Sequence, residues 1–144
     1  MEKIDDPLTQ RVIGACIEVH RQLGPGLLES VYEICLCQEL VLRGLAFARQ
    51  LTVPFNYKGL VEGSHRLDLV VEHHVIVEVK SVEALLPIHE AQLTTYLKIT
   101  TYEVGLLVNF NVPLLRQGLR RLVKSNKKIS PSDLPSSNLP VSPL

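Results

Sequence analysis

Four fragments of the 144-residue chain carry residue types able to do chemistry. They are Arg66-Leu67-Asp68-Leu69, Glu78-Val79-Lys80, Gly26-Leu27-Leu28-Glu29-Ser30-Val31-Tyr32 and Gln92-Leu93-Thr94-Thr95-Tyr96. The second is the most constrained. Residues two apart in a strand point the same way, so Glu78 and Lys80 share a face with Ile76, while Val75, Val77 and Val79 take the other. By the same alternation Leu67, Leu69 and Val71 form one face of the preceding strand, and Arg66, Asp68 and Val70 the other.

Whether Asp68 meets Glu78 is a question of register. Opposed residues in an antiparallel hairpin have position numbers of constant sum, so pairing 68 with 78 requires a loop with an odd number of residues, such as Glu72-His73-His74. A His73-His74 loop would oppose Leu69 to Glu78 and turn Asp68 away, unless a bulge restored it. With the odd loop, two carboxylates stand side by side and repel. A divalent cation relieves that repulsion, and a few oxygen ligands with retained waters describe a Mg²⁺ or Mn²⁺ site. Such an ion lowers the pKa of a bound water and offsets charge on a phosphoryl oxygen. Lys80, on the same face, could orient the attacking water or steady developing negative charge. Glu29 sits in the first turn of a helix and can reach past its start, with Tyr32 on its face. Gln92 and Tyr96, four apart, stack along one side of a helix, where an amide and a phenol suit a phosphate backbone.

The elements that must position these residues are legible in the pattern. A first helix is capped by Asp6, has Pro7 at its first position and repeats Leu8, Val12, Cys16, Val19 and Leu23 at helical spacing. Gly24-Pro25-Gly26 ends it. A second helix runs from about Leu27 to Arg43, with Leu28, Val31, Cys35 and Leu42 on one stripe and Tyr32, Leu36 and Leu40 beside it; Gly44 stops it. The period then changes. Gln50–Tyr57 alternates as a strand, and its Pro54 suits an edge or a bulge. Lys58-Gly59 turns the chain, and two strands follow, roughly His65–Glu72 and Val75–Ser81. A third helix fits Pro87–Ile99. Tyr102–Asn109 reads as a strand buried on both faces, and a short helical turn leads into a last strand, Gly118–Val123. From Lys124 onward Ser, Pro, Asn and Lys predict a disordered tail, residues 124–144. The body, 1–123, is one domain of order α-α-β-β-β-α-β-β.

Composition narrows the function. Lys+Arg and Asp+Glu both number 15; a chain without cationic excess is not a purely electrostatic nucleic-acid binder. No apolar run has the length of a membrane span and the amino terminus lacks a signal-peptide hydrophobic region. Three Cys, all in apolar helical patterns, fit a reduced, cytoplasmic setting. Cys35 and Cys37 point to different helix faces without a partner CxxC, against a zinc or iron–sulfur centre.

The phrases GPGLLESVYE, RLDLVVE, VIVEVK, LLPIHEAQLTTYLK and GLLVNFNVPLL, in this order over residues 7–123, resemble the GxxExxY proteins, a branch of the PD-(D/E)XK nuclease superfamily. The resemblance implies an α/β fold of restriction-endonuclease type: an αβββαβ core with a mixed central sheet flanked by helices, here with an extra N-terminal helix. It also implies a Mg²⁺- or Mn²⁺-dependent nuclease acting on nucleic acid, DNA ahead of RNA, through a metal-activated water. Asp68 matches the first acidic position, Glu78 and Lys80 the E-x-K pair, and Leu67 stands where the superfamily's name has Pro. On this basis Asp68, Glu78 and Lys80 are the catalytic set. Glu29, Asp68, Glu78 and the Val79 carbonyl hold the metal. Gln92 and Tyr96 resemble the QxxxY helix of RecB-type and lambda-exonuclease-type nucleases, which contacts nucleic acid. Tyr32, His20 and His89 fall in matching phrases as candidates to support the site from behind. The rival expectation is a nuclease-fold scaffold without catalysis that binds nucleic acid or protein; a homodimer or a partner protein is compatible with either.

Overall fold

The computed structural model describes residues 6–125. Its order is α1 (Pro7–Leu23), α2 (Glu29–Leu42), β1 (Phe47–Tyr57), β2 (Val61–Val71), β3 (Val75–Lys80), α3 (Pro87–Ile99), β4 (Val104–Asn109), a 3-10 turn (Leu115–Gly118) and β5 (Leu119–Val123). The five strands lie in sequence order across one sheet. All neighbours are antiparallel except β3 and β4, which are parallel and joined by α3. A parallel pair needs such a crossover, and α3 supplies it on one face of the sheet. The expected α/β architecture, a mixed sheet flanked by helices with an extra N-terminal helix, is the observed one.

Local chemistry explains the element boundaries. The Asp6 carboxylate accepts the Leu8 N–H (3.1 Å) and the Thr9 hydroxyl (2.7 Å), capping α1 ahead of Pro7. Gly24 and Gly26 turn the chain at φ 69° and 102°, which a side chain would resist. Pro54 sits opposite Ser64 on β1, an edge strand, where proline is tolerated. The expectation on residues 124–144 falls mainly outside the described residues; within them the Lys124 N–H donates to the Glu103 carbonyl at 2.8 Å.

Two cores sandwich the sheet. On one face α1 and α2 bury Val12, Cys16, Tyr32, Leu36 and Leu40 against Leu69, Val71, Val77, Val79, Leu106 and Val108. On the other, Leu93 and Leu97 of α3 pack on Val53, Leu67, Val70, Ile76 and Leu107. Each buried Leu or Val contributes about 1.5–3 kcal/mol of burial, and the central strands β3 and β4 are covered on both sides.

Two expectations need correction. The first hairpin strand begins at Phe47, not Gln50, because residues 47–49 pair with 69–71. The alternation along β2 breaks at Asp68: Leu69 and Val71 face the α1–α2 core, but Leu67 faces α3. The cause is a paired irregularity. Gln50 takes φ 54°, and the ladder that pairs Arg49 with Leu69 and Leu51 with Leu67 omits Gln50 and Asp68 between them. The strands keep their register but change faces there, so the outer half of the hairpin is rotated against the inner half. Of the two apolar stripes on α2, Tyr32, Leu36 and Leu40 are buried, while on the other Leu28, Val31 and Leu42 are exposed and Cys35 is half-buried against the core.

Candidate active site

The site forms where β2 and β3 part. Their ladder runs Val71↔Val75, Val70↔Ile76, Leu69↔Val77, closed by the three-residue loop Glu72-His73-His74. This is the odd loop that sets Asp68 opposite Glu78. Beyond Leu69↔Val77 side chains replace the backbone pairing. The Asp68 N–H donates to Glu78 Oε2 at 3.1 Å, and the Val79 N–H donates to Asp68 Oδ2 at 2.9 Å. Each carboxylate is thereby drawn into the gap between the strands. Val79 N–H faces β2, while the Lys80 carbonyl accepts from Phe110 on the opposite side. A strand residue sends its N–H and C=O to the same side, so the Val79 carbonyl also faces the opening.

Burial makes this pair electrostatically costly. Glu78 is 8% exposed, and its pKa is pushed up to about 8, first by burial and then by the Asp68 charge; the Asp68 N–H and Lys80 act the other way. Asp68 is raised as well, chiefly by burial, with Glu33 and Glu29 adding repulsion and the Val79 N–H and Lys80 opposing it. The two carboxyls therefore titrate as a coupled pair. Lys80 lies two residues beyond Glu78 on the same strand, and its charge favours the ionised form of both acids.

The other predicted residues are placed as follows. Glu29 opens α2 at the rim, exposed, with its Oε2 accepting the Ser81 N–H at 3.3 Å. Ser81 Oγ donates to the Leu27 carbonyl at 2.6 Å, so the end of β3 is stitched to the start of α2. Tyr32 is buried, stacked on Phe110 with ring centroids 4.6 Å apart; its hydroxyl donates to Gly24 O (2.5 Å) and accepts from Leu27 N (3.1 Å). It holds the turn that presents Glu29. Tyr96 lies partly buried against the α3 core, where burial and the charges of Glu78 and Asp68 raise its phenol pKa. Gln92 is exposed one turn earlier on α3. His20 and His89 have local structural partners. His20 Nε2 bonds the Val112 carbonyl (2.8 Å), and His89 Nδ1 accepts the Leu86 N–H (3.0 Å) at the start of α3.

One participant was missed. Glu33, 6% exposed, accepts from Arg49 Nε (2.7 Å) and from Gln50 Nε2 (2.8 and 3.1 Å), and its charge acts on both Asp68 and Glu78. Its spacing of four from Glu29, which sets both acids on one helix face, was the available signal. Gln50 could not be found by pattern, since its role comes from the backbone irregularity opposite Asp68.

Among the described residues no group of three or more His, Cys, Asp or Glu is gathered for a metal; the acids stand as a close pair with Glu29 at its rim. The donor set still suits a hard cation. It offers two carboxylates and a strand carbonyl, all oxygen, and Mg²⁺ is held by one or two carboxylates with the remaining positions left to water and substrate. A concavity of about 650 Å³ between the α1–α2 turn and residues 113–116 contains none of these groups.

A mixed five-stranded sheet between helical layers, with an acid pair and a lysine at the mouth of its central hairpin, defines a nuclease-type α/β domain. The chain matches the family model of the PD-(D/E)XK nuclease superfamily over residues 6–122 and belongs to that superfamily. Comparisons with curated proteins and with solved structures give no significant match.

Proposed function

We propose that the protein is a Mg²⁺- or Mn²⁺-dependent phosphodiesterase of the GxxExxY branch, hydrolysing nucleic acid with DNA ahead of RNA. The observation that carries this reading is the Asp68–Glu78 pair, buried in the parted ladder with its pKa values raised. A charged pair so placed is expensive without a cation. Asp68, Glu78 and the Val79 carbonyl would hold the ion, with Glu29 at its rim. Such an ion, when bound, supplies a water of lowered pKa and offsets charge on a phosphoryl oxygen. Lys80 places its ammonium where negative charge develops on the phosphate. Gln92 and Tyr96, on the same side of α3, hold the sugar–phosphate backbone without reading bases. Tyr32 supports the site by fixing the Gly24–Leu27 turn. His20 and His89 support it only indirectly, through the 112 segment and the α3 start. No helix among the described residues is long and apolar enough to cross a membrane, and the reading places the enzyme in the cytoplasm.

The rival is a scaffold that keeps the fold and binds nucleic acid or protein without cleaving. What favours it is the hydrogen bonding of both acids by backbone amides and the absence of a three-donor cluster among the described residues. Cleavage of single- and double-stranded DNA and of RNA in Mn²⁺, compared with Glu78→Ala and Lys80→Ala, separates the two. Loss of cleavage in both variants and in chelator supports the enzyme. Activity that persists in all three conditions, or a wild type that never cleaves and never binds Mn²⁺, overturns it.

A further inference from the structure

The outward face of α2 has no partner in the fold. Tyr32, Leu36 and Leu40 fill the core on one side of this helix. At 100° per residue, the opposite arc of about 140° holds the N-cap residue Leu28 and Val31, Ile34, Cys35, Gln38, Val41 and Leu42, with Leu27 in the turn just before it. Gln38 is its single polar member, and Cys35, at the margin of the arc, is half-buried with one side against the core. Exposure is large across it: Leu28 72%, Leu42 70%, Val41 58% and Ile34 55%. A helix that is apolar on both its sides ordinarily has both sides covered.

We infer that this face is a homodimer interface, in which α2 packs antiparallel against α2 of a second copy across a two-fold axis. The order of residues along the helix argues for that occupant. Reflection about the midpoint between Ile34 and Cys35 exchanges Leu27-Leu28 with Val41-Leu42, Val31 with Gln38, and Ile34 with Cys35. An isologous interface demands this, because residue i of one copy must meet residue j of the other while j meets i. Leucines at one end meet Val41 and Leu42 of the other copy, Val31 covers the Gln38 stem while its amide reaches the rim, and Ile34 and Cys35 lie at the axis. The 3-4-3 spacing of positions 31, 34, 38 and 41 is that of a helix-pair seam. The inference does not depend on the proposed nuclease activity.

The test uses the full chain. Sedimentation or light scattering at micromolar concentration should give twice the 16.1 kDa chain mass, and Ile34→Asp or Leu42→Glu should return the monomer. Leu60→Asp, at an 84% exposed hairpin position away from α2, should leave the dimer intact. Mild oxidation should trap a disulfide-linked dimer through Cys35, lost in Cys35→Ser but retained in Cys16→Ser and Cys37→Ser. A wild-type chain that stays monomeric up to about 100 μM, including one whose α2 face is covered by its own residues 126–144, overturns the inference. So does a dimer indifferent to Ile34→Asp and Leu42→Glu, or one crosslinked through a different cysteine.

Discussion

Asp68 and Glu78 replace the backbone ladder between their strands with side chains: the N–H of Asp68 donates to the Glu78 carboxylate, and the Asp68 carboxylate takes the N–H of Val79. Two acids are thus fixed in a gap where neither is well hydrated. The folded chain then holds a proton on Glu78 more tightly than the unfolded chain does, at about 8 against 4.5. For a group raised on folding, the stability it contributes is full below the unfolded value and is lost as pH rises through the folded one. The metal-free protein is therefore expected to lose about 4 kcal/mol between pH 5 and 8.5 from this source. Glu78→Gln, which keeps an oxygen for the Asp68 N–H, should flatten that loss and be more stable than the wild type at pH 8.5. Urea midpoints across the pH range measure both, and a variant with the wild-type slope rules out the raised carboxyl as the cause.

Mn²⁺ should reverse the same penalty. At pH 7 a large part of the pair is protonated, so binding an ion must displace a proton. Calorimetry in buffers of different ionisation enthalpy should show proton release close to one per ion. Saturation at a hundredfold excess over Kd should raise unfolding free energy by about 2.7 kcal/mol. Asp68→Asn should weaken binding by a factor of ten or more, and Glu29→Gln, at the rim, by less. Equal losses in the two variants would place the ion nearer α2 than the strand gap.

Lys80 is expected to separate binding from chemistry. Its ammonium lowers the pKa of both acids, so it competes mildly with a cation for the pair. Lys80→Met should bind Mn²⁺ as well as or better than the wild type, yet cleave at least a hundredfold more slowly, the order lost when one transition-state donor is removed. Binding and cleavage falling together would make Lys80 a structural member of the site.

The patterns in the chain were sufficient where one rule applied at a time. Capping at Asp6-Pro7, the Gly24–Gly26 turn and the apolar strand ending at Asn109 locate elements to within a few residues, because each is a local signal. The odd loop and the facing of Asp68 to Glu78 could be narrowed to a parity condition, and the register meets it. What strict alternation could not give is the change of faces at Gln50 and Asp68. It depends on a left-handed Gln50, a state its residue type does not announce, and on the long-range bonds of Glu33. For α2, hydrophobic spacing alone could not tell which of two adjacent apolar stripes meets the sheet, since the helix is apolar on both.

Glu33 is where that irregularity can be tested. Its carboxylate, buried behind the site, takes two bonds from Gln50 and one from Arg49. The Arg49 end is solvent-exposed and contributes little by itself. The Gln50 bonds hold a residue at φ 54°, a conformation a side-chain-bearing residue adopts only when its surroundings fix it. Glu33→Ala should cost about 2 kcal/mol by removing bonds to a buried charge, and should let Gln50 relax toward an ordinary strand conformation. The ladder could then re-form opposite Asp68, turning its carboxylate away from Glu78. The expected signature is a Mn²⁺ affinity lowered several-fold, with Glu33→Gln, which retains an acceptor, recovering most of it. If Glu33→Ala lowers stability but leaves Mn²⁺ affinity unchanged, the network supports the helix and not the orientation of Asp68.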